Sequence, residues 1–129
     1  MRMLAVLLIL ALPAEAETPM SAAEFEAYTT GRTLTFSSGG VAYGIEEYRD
    51  GREVTWSFLD GRCQEGVWYP QGELICFQYE EIEAPQCWSF FRRGAGLEAR
   101  FENDPANTTL FETRASDEPM LCLGPEVGS

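Results

Sequence analysis

The stretch Cys63–Phe91, CQEGVWYPQGELICFQYEEIEAPQCWSFF, carries the most architectural information in the chain. It holds three of the four cysteines and two of the three tryptophans. Apolar and polar residues alternate through it in short runs, broken at Gln71-Gly72 and again over Glu80–Pro85. A period of two with turn residues between runs is the pattern of half-buried antiparallel strands. Pairing Leu74–Tyr79 with Gln86–Phe91 as a hairpin over Glu80–Pro85 sets Cys76 opposite Cys87. Directly opposed residues lie roughly 4.5–5.5 Å apart at Cα, which a disulfide can bridge. Four cysteines allow three pairings, and this register selects Cys76–Cys87 and leaves Cys63–Cys122. The spacings contain no C-x-x-C pair, which disfavours a metal site.

Outward from that hairpin the same period continues. Val54-Thr55-Trp56-Ser57-Phe58, Leu97-Glu98-Ala99-Arg100-Phe101 and Leu34-Thr35-Phe36 alternate. Ser38-Gly39-Gly40, Asp50-Gly51, Asp60-Gly61, Arg93–Gly96 and Asn103-Asp104-Pro105 interrupt them about every ten to twelve residues, the rhythm of a meander. Eight or nine strands are expected, near 33–37, 41–48, 53–58, 63–69, 73–79, 86–92, 97–102, 108–113 and 120–123. Asp-Gly is a strong hairpin signal, so the repeated Asp-Gly-Arg at 50–52 and 60–62 predicts two similar turns. The fold class is all-β, an antiparallel meander closing into a small barrel or folding into a two-sheet sandwich. Closure is favoured because it removes exposed edges.

One helix precedes the strands. Ser21 and Glu24 form a capping box, with Met20 and Phe25 placed as a hydrophobic staple, so a helix is expected over about 22–29, ending at Gly31. Phe25 and Tyr28 then share a face that can lie on the sheet.

Ahead of it, Arg2, the apolar run Leu4–Leu12 and Ala14-Glu15-Ala16 have the layout of a secretory signal peptide over residues 1–16. The run is short of the about 20 residues that span a bilayer. A single exported domain over 17–129, periplasmic and stapled by disulfides, follows as the expectation.

Composition narrows function mainly by exclusion. The 129 residues include 21 acidic and 9 basic ones, for a net charge of −12, and every basic residue is arginine. Nucleic acid and anionic membranes need a basic face, so neither is an expected partner. Without histidine there is no Ser/His/Asp or Cys/His arrangement; without lysine there is no Schiff base or phosphate-loop lysine. No cofactor or metal motif is present.

Carboxylates are the remaining candidates for chemistry. Glu46 and Glu47 are adjacent on a strand and point to opposite faces, so they do not converge. Glu80, Glu81 and Glu83 fall in the hairpin loop, where solvated charge is expected. Glu80, Glu81 and Glu83, or Asn103, Asp104 and Asn107, offer oxygens to calcium, but neither matches an ordered calcium loop. Trp56, Trp68 and Trp88 fit a packed core; together with Tyr69 they also fit an aromatic ligand cup at a barrel mouth.

The sequence of features — helix, Gly31-Arg32-Thr33-Leu34, an Asp-Gly turn, Gly66-Val67-Trp68, Glu73-Leu74-Ile75-Cys76-Phe77 and Cys87-Trp88 — resembles a family of small exported bacterial domains of unknown function. The resemblance covers roughly residues 20–91. It implies an all-β fold with a leading helix and supports Cys76–Cys87, and it brings no assigned site residue.

The expected function is a binding or interaction protein of the bacterial cell envelope, monomeric, without catalysis and engaging another envelope protein. A small-ligand carrier with an aromatic barrel interior is the alternative, and a carboxylate-dependent hydrolase the third. A filled interior favours the first; inward-facing small residues such as Gly44, Gly66 and Ala99 favour the second.

Overall fold

The computed structural model describes residues 8–10, 17–102 and 108–122. The expected signal segment lies almost wholly outside them, as do Asn103, Asp104 and Asn107 of the calcium candidate. A helix, α1 (Ala22–Thr29), leads into eight strands: β1 (Thr33–Ser38), β2 (Val41–Tyr48), β3 (Glu53–Ser57), β4 (Gln64–Gln71), β5 (Leu74–Tyr79), β6 (Gln86–Arg93), β7 (Gly96–Phe101) and β8 (Thr109–Ser116). Each strand pairs antiparallel with the next, and β8 returns to β1, closing a barrel rather than a sandwich.

Closure explains one departure from expectation. A ninth strand is expected at 120–123, yet Met120–Cys122 is not a strand. Each barrel strand already has two neighbours, so no edge is left to pair with. The chain after β8 instead crosses the outside of the barrel. Thr33 donates its hydroxyl to the Glu118 carbonyl at 2.7 Å, and the Met120 amide donates to Glu47 at 2.9 Å. Cys122 then bonds to Cys63.

The two Asp-Gly-Arg repeats also depart from expectation, since neither makes a two-residue hairpin turn. Tyr48 pairs with Val54, so 49–53 is a longer connection containing a 3-10 turn, with Gly51 and Arg52 at φ 73° and 60°. The Arg49 amide donates to the Glu53 carbonyl to close it. The second repeat lies in the loop 58–63, where the Arg62 amide donates to the Asp60 carboxylate, a side-chain turn that competes with the hairpin geometry.

The hairpin between β5 and β6 has the expected register. Cys76 faces Cys87 and is bonded to it, with the Cα atoms 3.9 Å apart, closer than in an unlinked pair. Both disulfides of the expected set are present.

α1 has the expected capping box. The Ser21 hydroxyl accepts from the Glu24 amide, and the Glu24 carboxylate accepts from the Ser21 amide. This fixes the helix across one end of the barrel, where the Met20 amide donates to the Phe90 carbonyl at 2.7 Å. Phe25 is fully buried and drives into the barrel among Tyr48, Trp68, Phe77 and Phe90, with ring centroids 4.4–6.3 Å away. Tyr28, one turn on, donates its hydroxyl to Glu112 at 2.7 Å and lies between the Arg32 and Arg92 guanidiniums. The Gly31 amide donates to the Tyr48 carbonyl, joining the helix end to β2. Leu34, Val54, Ile75 and Leu97 complete the core at this end.

Truncating Phe25 leaves a hole in the centre of that core. Phe25→Ala should cost about 3–5 kcal/mol in urea denaturation of the oxidised protein, without abolishing the strand signature in circular dichroism. Replacing both members of the Cys63–Cys122 pair, which closes a loop with a sequence separation of 59, should cost about 4 kcal/mol against about 3 for Cys76–Cys87. Denaturation midpoints of the two double Cys→Ser variants check the order.

Candidate functional site

Up-and-down connectivity puts alternate loops at alternate ends. The end opposite α1 carries the β1–β2 turn, the loop 58–63 and the loop 80–85, and β7 ends and β8 begins there. No helix covers this end among the described residues. A cavity of about 40 Å³ opens there. Nine of its thirteen lining residues are aromatic, and the others are Glu46, Gln86, Ala99 and Leu110, so the cup has one carboxyl and no cation.

Strand alternation builds it. On β2, Gly44, Glu46 and Tyr48 point inward while Ile45 and Glu47 point outward. As expected, the adjacent glutamates separate. Glu47 pairs outside with Arg49 at 2.8 Å, and Glu46 is buried in the barrel. Tyr79 on β5 reaches across the interior and donates its hydroxyl to the Glu46 carboxyl, 2.9 and 3.1 Å from its two oxygens.

Above this floor Trp56 on β3 and Trp88 on β6 form walls with Phe36, Phe77 and Phe90. The rim is a triad in which Tyr43, Trp56 and Phe58 have centroids 5.3–6.0 Å apart. Phe58 is 47% exposed and Tyr43 37%, beside Val41 and Leu59, both exposed as well. Four large hydrophobic side chains therefore meet solvent at this end of the barrel, two of them lining the opening.

The tryptophans do not act as a set. Trp56 and Trp88 line the cup, Trp88 packing on Phe101 at 4.8 Å. Trp68 belongs to the opposite end, its ring 5.1 Å from Phe25 and beneath the Arg52 guanidinium. Tyr69, next on β4, therefore points out of the barrel, opposite Cys76. Tyr79, Tyr43, Phe58 and Phe36 belong to the cup and went unrecognised in the sequence, and Glu46, weighed there as a carboxylate for chemistry, was not placed in it. The signal for Glu46 was its shared parity with Gly44 and Tyr48.

The inward small residues do not all open space. A Cβ on Gly44 would stand 2.2 Å from the Trp56 ring, so the glycine gives its space to that indole rather than to the cavity. One on Gly66 would meet the Gln78 carbonyl and the Tyr79 ring at 2.6 and 2.8 Å. Only Ala99 borders the cavity itself. The interior is thus filled at the helix end and hollow near the mouth.

Burial pushes the Glu46 carboxyl well above its ordinary range, against the smaller opposing effects of the Tyr79 hydrogen bond and the Arg49 charge. Burial and the neighbouring Glu46 likewise raise Tyr48 and Tyr79. A two-carboxylate hydrolytic mechanism needs a second acid facing Glu46, and the described lining offers none. Glu80, Glu81 and Glu83 are exposed in the loop 80–85 at the same mouth.

Comparison with protein-family models, curated proteins and solved structures finds no match to this chain.

A carboxyl with a raised folded pKa binds its proton more tightly folded than unfolded, so its contribution to stability is complete below the ordinary value of 4.5 and is lost as pH rises through the folded value. Glu112, also raised by burial, adds in the same direction. Stability should therefore fall as pH climbs above 4.5. Glu46→Gln, which copies the protonated shape, should flatten that decline and be the more stable protein at neutral pH. Chemical denaturation of both proteins across pH 4–8 measures it; parallel profiles would contradict the assignment.

Proposed function

We propose that the chain is an exported binding protein of the bacterial cell envelope, periplasmic, that seats one protruding group of a partner protein in the aromatic cup. The observation that carries this reading is the solvent-exposed aromatic rim over a narrow cavity at the one end that α1 leaves uncovered. Small-molecule pockets enclose about 300–1,000 Å³. A cavity of about 40 Å³ suits a side chain better than an enclosed cargo. Closed walls also hold the rim rigid, so little ordering entropy opposes docking.

Export is supported by the signal-like start of the chain and by two disulfides, which persist in oxidising compartments. Among the described residues no helix is long and apolar enough to cross a membrane. The hollow mouth half and inward Ala99 favour a second reading, a carrier of a small free ligand; the cavity volume weighs against it.

Envelope extract passed over the immobilised, oxidised protein should leave one partner retained at stoichiometric level. Trp56→Ala and Phe58→Ser should each lower its retention about tenfold, since buried aromatic anchors dominate interfaces. Tyr69→Ser, on the outer wall, should leave it unchanged. Equal loss from Tyr69→Ser, or none from the cup variants, would contradict the reading; a bound small-molecule mass in native mass spectrometry, with no retained protein, would favour the carrier.

A further inference from the structure

We propose that the group seated in the cup is a lysine side chain of the partner, its stem against Trp56 and Trp88 and its ammonium on the Glu46 carboxylate. This deepens the reading of the mouth as a seat for a partner's side chain and rests on it.

Chemistry at the floor and charge at the rim point the same way. The cup walls are aromatic faces, which attract a cation through the ring quadrupole, and its floor holds one carboxyl. No cationic residue lines it. Glu80, Glu81 and Glu83 stand exposed on the loop that joins two of the wall strands, within a protein of net charge −12. That field draws a basic partner toward this end.

Lysine fits better than arginine. A guanidinium binds a carboxylate through two parallel bonds along the edge that joins its oxygens, and the Tyr79 hydroxyl, 2.9 and 3.1 Å from the two Glu46 oxygens, already stands at that edge with its single proton. A compact ammonium needs only one further acceptor site on the carboxylate, and its four-carbon stem can lie along apolar walls. The chain contains no lysine, so no lysine of its own surface and none of a second copy can fill the cup.

The groups facing Glu46 set the pH dependence. Tyr79 lies across the barrel and Tyr48 on the same strand, while Arg49 acts from outside, held at 2.8 and 2.9 Å by Glu47 and Glu65. Its cross-strand neighbours Leu34 and Trp56 carry no charge. Tyr79 stays protonated and continues to donate. Seating the ammonium turns the Glu46 carboxylic acid into a carboxylate and releases its proton to solvent. Affinity should therefore rise with pH until the carboxyl is ionised in the unliganded protein.

The test titrates the oxidised protein with the Nα-acetyl amides of lysine, arginine and norleucine, following the Trp56 and Trp88 indole N–H resonances. Lysine should bind about tenfold more tightly than either of the others. Glu46→Gln should remove that advantage and leave norleucine binding unchanged. Norleucine equal to lysine would overturn the proposal while leaving the cup a seat for an apolar side chain. Tighter arginine binding would overturn the choice of lysine. Shifts from none of the three would overturn the proposal and the binding role of the cup together. Should Glu46→Gln fail to fold, the lysine–norleucine comparison on the unaltered protein decides.

Discussion

Pairing of β8 with β1 is the constraint on which the rest depends. It converts a chain of hairpins into a tube with an inside, an outside and two ends. Once closed, every second residue of every strand must enter one shared interior, and no strand edge remains to be covered. The two ends then meet different fates. The capping box holds α1 over one of them and Phe25 fills it, leaving the other end as the place where interior side chains meet solvent.

The outside of the tube is used for fastening. Cys76–Cys87 ties neighbouring strands from the outer face, while Cys63–Cys122 anchors the segment after β8 to the loop that carries Phe58 and Leu59. That segment also accepts a hydrogen bond from Thr33 of β1 and donates one to Glu47 of β2. Its long covalent loop restrains the rim loop as well as the unfolded chain. Outer-wall charge is arranged similarly: Arg49 bridges Glu47 and Glu65, and Arg93 and Arg100 converge on Glu17 and Glu98. These pairs are partly exposed, so each adds little stability alone and mainly orders the surface.

Features set by neighbours in the chain were legible in the sequence. The helix limits follow from Ser21, Glu24 and Gly31, and the Cys76–Cys87 pairing from counting outward from a hairpin loop. Features set by contacts across the barrel were not. The barrel was favoured over the sandwich only on the general ground that closure removes edges; the β1–β8 pairing that makes it is encoded by no local pattern. The same closure removes the ninth strand. At the site, alternation correctly separated Glu46 from Glu47, and the same rule should have separated Trp68 from Tyr69, which cannot both face inward. On β2 the pattern misleads, since Ile45 faces out and Glu46 faces in. Only Tyr79, 33 residues away in sequence, makes an inward carboxyl tolerable there.

On the proposed function a partner meets this protein at the open mouth and not at the sealed end. Photo-crosslinking in the envelope tests it directly, with benzoylphenylalanine placed at Phe58 on the rim or at Ala23 on the exposed face of α1. One discrete adduct is expected from position 58 and none from position 23. An adduct from position 23, with none from position 58, would contradict it.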